Sequence, residues 1–300
     1  MLLIAGTVPV KDMPLSMGEV GRDGEYVVVG GQRIACTQGT GAMLGAALAT
    51  TSYLGIEAPQ ALVAGDIGKG KGSREIYQFL IENVAGLSPE VLALHYCLPY
   101  VTLTRKLCQA IEKCVKRPIL IADAASMYAA KASGMAERFD VFTPDATEMA
   151  FLADPHATHP AYINRHLFDT DIRQTPRLVK DAYRNRSAAR LLLVKGSTDY
   201  VVRDGEIVET VGEPDIPALE AIGGTGDTIT GLVAAFAYAG VELEEAAILA
   251  ARSNRVAGEY ARVTPATRIS ELIAQFPAVF RDNLCEWSGA CCGKGEHSDD

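Results

Sequence analysis

No stretch of this 300-residue sequence approaches ~18 uninterrupted apolar residues, so a transmembrane helix is not expected. Basic charge is also scarce. Lys and Arg number 28 against 37 Asp and Glu, a formal charge of -9, the opposite of the basic face that nucleic-acid binders carry. The one local exception, the Arg/Lys-rich run 173–190, sets Leu178, Val179, Ala182 and Tyr183 along one side and reads as a solvated amphipathic helix. Paired Cys-x-x-Cys units are missing. Of the seven cysteines, Cys36, Cys97, Cys108 and Cys114 fall in apolar or helical patterns and are expected as buried thiols. Cys285, Cys291 and Cys292, with His297 near them, lie in a Gly- and Asp-containing stretch without metal-site spacing. Residues 1–5 lack a basic n-region and are soon followed by Pro9 and Lys11, so no signal peptide is expected and the protein reads as cytoplasmic. Neither a linker nor an internal repeat divides the chain. One domain over residues 1–284 is expected, with a loosely ordered tail over 285–300.

What is present is an alternation. Strand-like apolar runs at 2–5, 25–29, 59–65, 90–94, 118–123, 140–144 and 190–194 are separated by helical patterns, among them those marked by Met43, Leu44, Ala47 and Leu48, by Leu103, Leu107, Ala110 and Ile111, and by a helix from Met127 toward Ala136. A hairpin over 200–208 turns on Asp204-Gly205. The polar segment 154–175 reads as a long excursion or lid. Such alternation implies an α/β fold, a mostly parallel central sheet covered by helices on both faces. Ligands of these sheets bind beyond the carboxyl ends of the strands. Gly30, Asp123, Asp145 and Lys195 stand at predicted strand ends and are expected to converge on one crevice with 223–227.

The densest signal is Gly223-Gly224-Thr225-Gly226-Asp227, followed by a buried, alanine-rich helical run. Glycines let the turn bring its N–H groups against a ligand, and a helix N-terminus adds unpaired amides and a positive dipole end. Asp227 in the first turn is either an ordinary dipole partner or a carboxylate placed beside phosphate to accept a proton. A second glycine-rich stretch, 65–73, matches the first seven positions of a P-loop but carries Gly72 at the eighth, with the hydroxyl displaced to Ser73. It reads as a flexible connector ahead of a nucleotide loop.

Thr143-Pro144-Asp145-Ala146-Thr147-Glu148, Val194-Lys195-Gly196 and Gly223-Gly224-Thr225-Gly226-Asp227 together resemble the ribokinase-like superfamily, over roughly residues 25–280. Gly30-Gly31 leading to Gly41-Ala42, Ala122-Asp123-Ala124, the 224–231 segment and Ala257-Gly258-Glu259 look most like the ADP/ATP-dependent NAD(P)H-hydrate dehydratase branch. The resemblance implies a three-layer sandwich and an enzyme that acts on a hydroxyl by phosphoryl transfer, with ADP or ATP and Mg2+. By that likeness Asp227 is the catalytic base. Gly224, Thr225 and Gly226 hold phosphate, and Lys195, Gly196, Ser197, Thr198 and Asp199 line the nucleotide. Ala42, Asp123 and Asp145 face the substrate, and Glu148 reaches the metal through water. The other account of Asp145 and Glu148 is an N-cap with Glu at N3. The implied partner is a small molecule such as hydrated NADH or NADPH, with no nucleic acid or membrane, and a homo-oligomer is left open. Asp145-Ala146-Thr147 departs from the branch's Thr-Pro-His-Pro-Gly-Glu, and Leu94-His95-Tyr96-Cys97-Leu98-Pro99 replaces its glycine-rich turn. Two further readings therefore stand beside the dehydratase: a small-molecule kinase for a sugar, vitamin or thiazole-type alcohol, and a non-catalytic nucleotide-binding protein.

Overall fold

The structure is a computed structural model that describes residues 1–157 and 174–288. Its spine is six apolar segments paired in parallel: β1 (Leu2–Val8), β6 (Gln60–Gly65), β7 (Val91–His95), β8 (Ile119–Asp123), β9 (Val141–Phe142) and β10 (Leu191–Val194). They stand in the order β6-β1-β7-β8-β9-β10 within a nine-stranded sheet. Antiparallel strands close both edges, β2 (Ser16–Glu19) beside β6, and the hairpin of β11 (Asp199–Arg203) and β12 (Glu206–Val211) beside β10. The predicted hairpin turn is there, with Asp204 and Gly205 at φ 49° and 92°, as a tight hairpin requires.

The parallel strands read as unbroken hydrophobic runs because both faces are covered. Leu2 and Ile4 point to one helical layer, made of α1 (Gly39–Leu54), α7 (Thr225–Tyr238), α8 (Leu243–Tyr260), α9 (Ile269–Ile273) and α10 (Phe276–Ser288). Leu3 and Ala5 point to the other, made of α2 (Lys71–Leu87), α3 (Val101–Ile111), α4 (Ala125–Ala132), α5 (Ala146–Ala153) and α6 (Thr175–Arg184). Helices α1 and α7 approach very closely. A Cβ on Gly231 would stand 2.3 Å from the Met43 carbonyl oxygen and 3.1 Å from Ala46 Cβ. Only glycine permits that distance.

Gly30 is not where the sequence reading places it. Tyr26–Val29 is β4 of a separate three-stranded antiparallel sheet with β3 (Gly21–Asp23) and β5 (Gln32–Ala35), and Gly30-Gly31 is its turn, both at positive φ (54° and 80°). A four-residue, half-buried run before two glycines favours a tight hairpin over a central strand. Asp123, Asp145 and Lys195 do lie at the carboxyl ends of central strands. Residues 158–173 of the expected lid, and 289–300 of the expected tail with Cys291, Cys292 and His297, lie outside the described residues. Cys36, Cys97 and Cys108 are buried, Cys114 half-buried, and Cys285 is exposed on α10. No helix among the described residues is long and apolar enough to cross a membrane.

In chain order the parallel strands run 2-1-3-4-5-6 across the sheet, so the winding reverses between β1 and β7. A crevice is expected beyond the carboxyl ends of those two strands.

Candidate active site

A cleft of about 450 Å³ opens on that side of the sheet, beyond the carboxyl ends of β7, β8, β9 and β10. Asp123, Asp145, Glu148, Lys195, Gly196, Ser197, Asp199, Thr225, Gly226 and Asp227 all line it. Three expected site residues stand back. Gly224 is the N-cap of α7 at φ 98°, where a Cβ would come within 3.1 Å of Gln38 Cα and 3.2 Å of Ala42 Cβ. Ala42 is fully buried behind that turn. Thr198 packs against Gly212 on the far side of its loop.

The glycine turn presents the positive end of α7 to the cleft. Gly226 also makes room for a cation, since a Cβ there would stand 3.3 Å from Lys195 Nζ. The Thr225 hydroxyl is turned inward onto the carbonyls of Ile222 and Leu219, at 3.1 and 3.2 Å. It braces the turn.

Asp227 is held at both oxygens. Gly39 N donates to Oδ2 at 2.7 Å, and His95 Nε2 lies 2.9 Å from Oδ1. Burial pushes this carboxyl up, but the His95 hydrogen bond and charge, the Lys195 ammonium and the Gly39 amide together bring it below the ordinary aspartate value. His95 is itself fully buried, with Nδ1 3.0 Å from Thr40 Oγ1, whose hydroxyl donates to the Thr7 carbonyl at 2.6 Å.

Lys195 follows β10 and donates to both oxygens of Asp123, at 3.0 and 3.2 Å. Burial opposes its charge, yet Asp123, Glu148, Asp227 and Asp145 outweigh burial and raise the ammonium above the ordinary lysine range. Asp123 is further fixed by Thr230 Oγ1 at 2.6 Å and by the Ala124 amide at 2.8 Å. His95, Asp123 and Asp227 bring donor atoms within 4.8 Å of one another. The Lys195 ammonium already sits on that group.

Asp145 and Glu148 form the capping box of α5, with bonds of 2.7 and 2.8 Å. The two are also part of the cleft wall, so the structural and the cleft-facing readings hold together. Asp145 is bridged to Lys195 through the Lys195 N to Pro144 carbonyl bond of 2.8 Å. The Glu148 carboxyl is raised well above its ordinary value by burial and by the charges of Asp145 and Asp123, with Lys195 opposing. Asp199 accepts from Gly196 N at 3.0 Å and from Arg255 Nε at 2.8 Å. Arg255 spends its other donors on the carbonyls of Gly212, Gly196 and Ser197. A single buried guanidinium thus shapes the whole 195–199 loop.

Two non-glycine residues at positive φ follow neighbouring strands, Tyr96 after β7 (53°) and Ala124 after β8 (52°). Both line the cleft, and conformations of this kind cluster at functional sites.

Sequence reasoning missed His95, Thr40, Gly39 and Arg255. A signal for His95 existed, since it ends a strand as Asp123 does. The 65–73 loop is settled by Asp66, whose carboxylate accepts from the amides of Gly68, Gly70 and Ser73 and from Ser73 Oγ, at 2.8–3.1 Å. The chain's own anion fills the place a P-loop keeps for phosphate.

Comparison with known proteins gives the family and the fold. A family model described as NAD(P)H-hydrate dehydratase matches residues 96–275. An uncharacterized protein of Methanocaldococcus jannaschii is 37% identical over 242 residues, which is 81% of this chain and 100% of that protein. The bifunctional NAD(P)H-hydrate repair enzyme Nnr of Pyrobaculum aerophilum is 43% identical over 93 residues, 30% of this chain and 18% of that enzyme. Pyridoxal kinase from Entamoeba histolytica superposes with a TM-score of 0.52 at 14% identity, covering 92% of this chain and 94% of that one. At that identity the likeness is one of fold.

Proposed function

Because the chain belongs to the NAD(P)H-hydrate dehydratase family, we propose that it is a nucleotide-dependent enzyme that acts on the hydroxyl of a hydrated nicotinamide nucleotide by phosphoryl transfer. One observation carries the reading. Beyond the carboxyl ends of the parallel strands, a carboxylate (Asp227) and an ammonium (Lys195) flank the glycine turn that opens α7. Phosphoryl transfer asks for charge neutralisation and in-line placement more than for covalent chemistry. The turn amides at 225–226 and Lys195 supply positive charge where phosphate oxygens would lie. Asp227 takes the acceptor proton, provided the hydroxyl comes within hydrogen-bond reach. Ile216, Pro217, Leu219 and Ile229 give the same cleft an apolar wall suited to a nucleobase, next to the 195–199 loop.

The nucleotide, ADP or ATP, brings negative charge into a cleft that already has much of it. Seven carboxylates line the cleft (Asp123, Asp145, Glu148, Asp199, Asp215, Glu220 and Asp227), while Lys195 and Arg255 are already paired. With Asp123 and Asp199 paired to those two cations, the remaining carboxylates fit a divalent cation such as Mg2+, with Glu148 reaching it through water. The cation would neutralise phosphate charge.

A second reading is favoured by Asp145, an exposed carboxylate on the substrate wall. It repels an anionic dinucleotide and suits a neutral or cationic alcohol, which makes the protein a small-molecule kinase. Incubation with Mg2+, ADP or ATP and hydrated NADH decides between them. Recovery of reduced-nicotinamide absorbance supports the dehydratase, and its absence with both nucleotides refutes it. ATP consumption that depends on an added alcohol then supports the kinase. In either case Asp227→Asn should lower kcat by ~10²-fold or more while nucleotide affinity by calorimetry is kept or improved. Near-normal turnover would refute the base assignment.

A further inference from the structure

We propose that Asn254 binds the nucleoside end of the nucleotide, donating from Nδ2 to an acceptor on the base. The inference rests on the nucleotide cleft proposed above and adds the residue that orients the base within it. Asn254 lies on α8 with only 4% of its surface exposed, yet it lines the cleft. The Thr228 hydroxyl donates to its Oδ1 at 2.7 Å, which holds one end of the amide. Nδ2 is the other end, and it has no partner among the described residues. A buried amide ordinarily has its hydrogens engaged within the protein. Its neighbours in the cleft follow that rule. Asp199 is taken by Arg255, Asp123 by Lys195, and the Thr225 hydroxyl by two carbonyls. Asn254 alone of these keeps N–H bonds for a ligand.

Its place in the fold decides which end of the ligand it meets. Successive residues of a helix point about 100° apart, so Asp227 and Thr228, adjacent in the first turn of α7, face different ways. Asp227 faces Gly39 and His95, and Thr228 faces α8. The next residue on α8, Arg255, holds the carbonyls of Gly196 and Ser197. One turn further on, α8 packs against the apolar wall. A Cβ on Gly258 would come within 2.9–3.1 Å of the Leu219 side chain. Asn254 therefore sits beside both the apolar wall and the 195–199 loop, on a different side of α7 from the reacting carboxylate.

The wall and the amide do different things. Apolar contact supplies area and no direction, so Ile216, Leu219 and Ile229 would hold a flat ring in any rotation within its plane. A donor tethered at one end by Thr228 removes that freedom, because only an edge bearing a ring nitrogen or a carbonyl oxygen can accept from it. The phosphates remain at the glycine turn and Lys195.

Asn254→Leu keeps the outline of the side chain and removes the amide. The Thr228 hydroxyl then turns wholly to the Thr225 carbonyl, also 2.7 Å away, so no polar group is stranded. Calorimetry in Mg2+ compares ATP with inorganic tripolyphosphate, and ADP with pyrophosphate, the same phosphate chains without the nucleoside. The variant should bind ATP and ADP ~10-fold more weakly, the worth of one hydrogen bond, and the bare chains as tightly as wild type does. In turnover, KM for nucleotide should rise by a similar factor with kcat nearly unchanged, a split that general loosening of the fold would not give. In 1H–15N spectra of the wild type, the side-chain amide pair that the variant lacks should move with ATP and stay in place with tripolyphosphate. Asn254→Ala provides the same comparison if the leucine does not fold. Unchanged affinity of the variant for both nucleotides overturns the inference. So does an equal loss for nucleotides and bare chains, which would put Asn254 at the phosphates. A wild-type protein that binds neither ATP nor ADP refutes the functional proposal itself, and this inference with it.

Discussion

Glu148 is the residue whose two occupations conflict most. As the N3 partner in a capping box it accepts the Asp145 amide at 2.8 Å, and as part of the cleft wall it stands among carboxylates. Burial, then Asp145 and Asp123, raise its carboxyl well above the ordinary glutamate value. A raised carboxyl favours the protonated form in the folded chain. The stability this contributes is present below the ordinary value and is lost as pH rises through the raised one. Glu148→Gln keeps an acceptor for the cap and removes the charge. Its melting midpoint relative to wild type should be near zero at acid pH and become positive through neutral and alkaline pH. A difference that shrinks with rising pH would contradict this charge balance. At this scale the sequence was legible where a residue sits beside a recognisable local feature, as Asp227, Lys195 and Asp145 do. His95 and Arg255 were not, because their partners lie 132 and 56 residues away.

Elements were readable in proportion to their length and burial. The central strands β1, β6, β7, β8 and β10 stand out as apolar runs. The short strands β2, β3 and β5 carry polar or glycine residues that leave no hydrophobic period to detect. The 65–73 loop shows what a pattern of glycines cannot reveal. Its amides converge as an anion site would, and Asp66 occupies them. Burial pushes the Asp66 carboxyl up, but the Ser73, Gly70 and Lys69 amides and the Ser73 hydroxyl bring it below its ordinary value. Asp66→Ala should lower stability by about 1–3 kcal/mol, the cost of leaving such donors unpaired. Sulfate should restore part of that loss. Sulfate stabilises most proteins by exclusion, so the measurement is the extra gain of the variant over wild type, in chemical unfolding at matched ionic strength. Equal gains would show that the loop does not act as an anion receptor once emptied.

Across the whole molecule, the reversal of winding between β1 and β7 brings together the ends of strands that are distant in sequence, and the two helical layers meet the cleft from opposite sides. The alternation of apolar runs was enough to predict that architecture and to place three of four expected strand-end residues at its rim. It could not show that Gly30 belongs to a second sheet. The charge of the cleft governs how the folded protein responds to ligand. A nucleotide at ~100 times its Kd stabilises the chain by ~2.7 kcal/mol, and with seven carboxylates facing it that affinity should depend on a divalent cation. The melting midpoint should rise with Mg2+ and ATP or ADP together and far less with nucleotide and a chelator. Equal shifts in the two conditions would argue against a cation between nucleotide and wall.

The contact of α1 with α7 reaches further than packing. Gly39 grips Asp227 at one end, and one helical turn along each helix Gly231 lies against the Met43 carbonyl. Two fixed points a turn apart leave the helices a common rigid frame, much as two dowels align machined plates. The Asp227 carboxylate inherits its position from a glycine with no chemistry of its own. Drift at position 231 would therefore be felt in folding and at the Asp227 carboxylate together, along a helix axis instead of around a pocket.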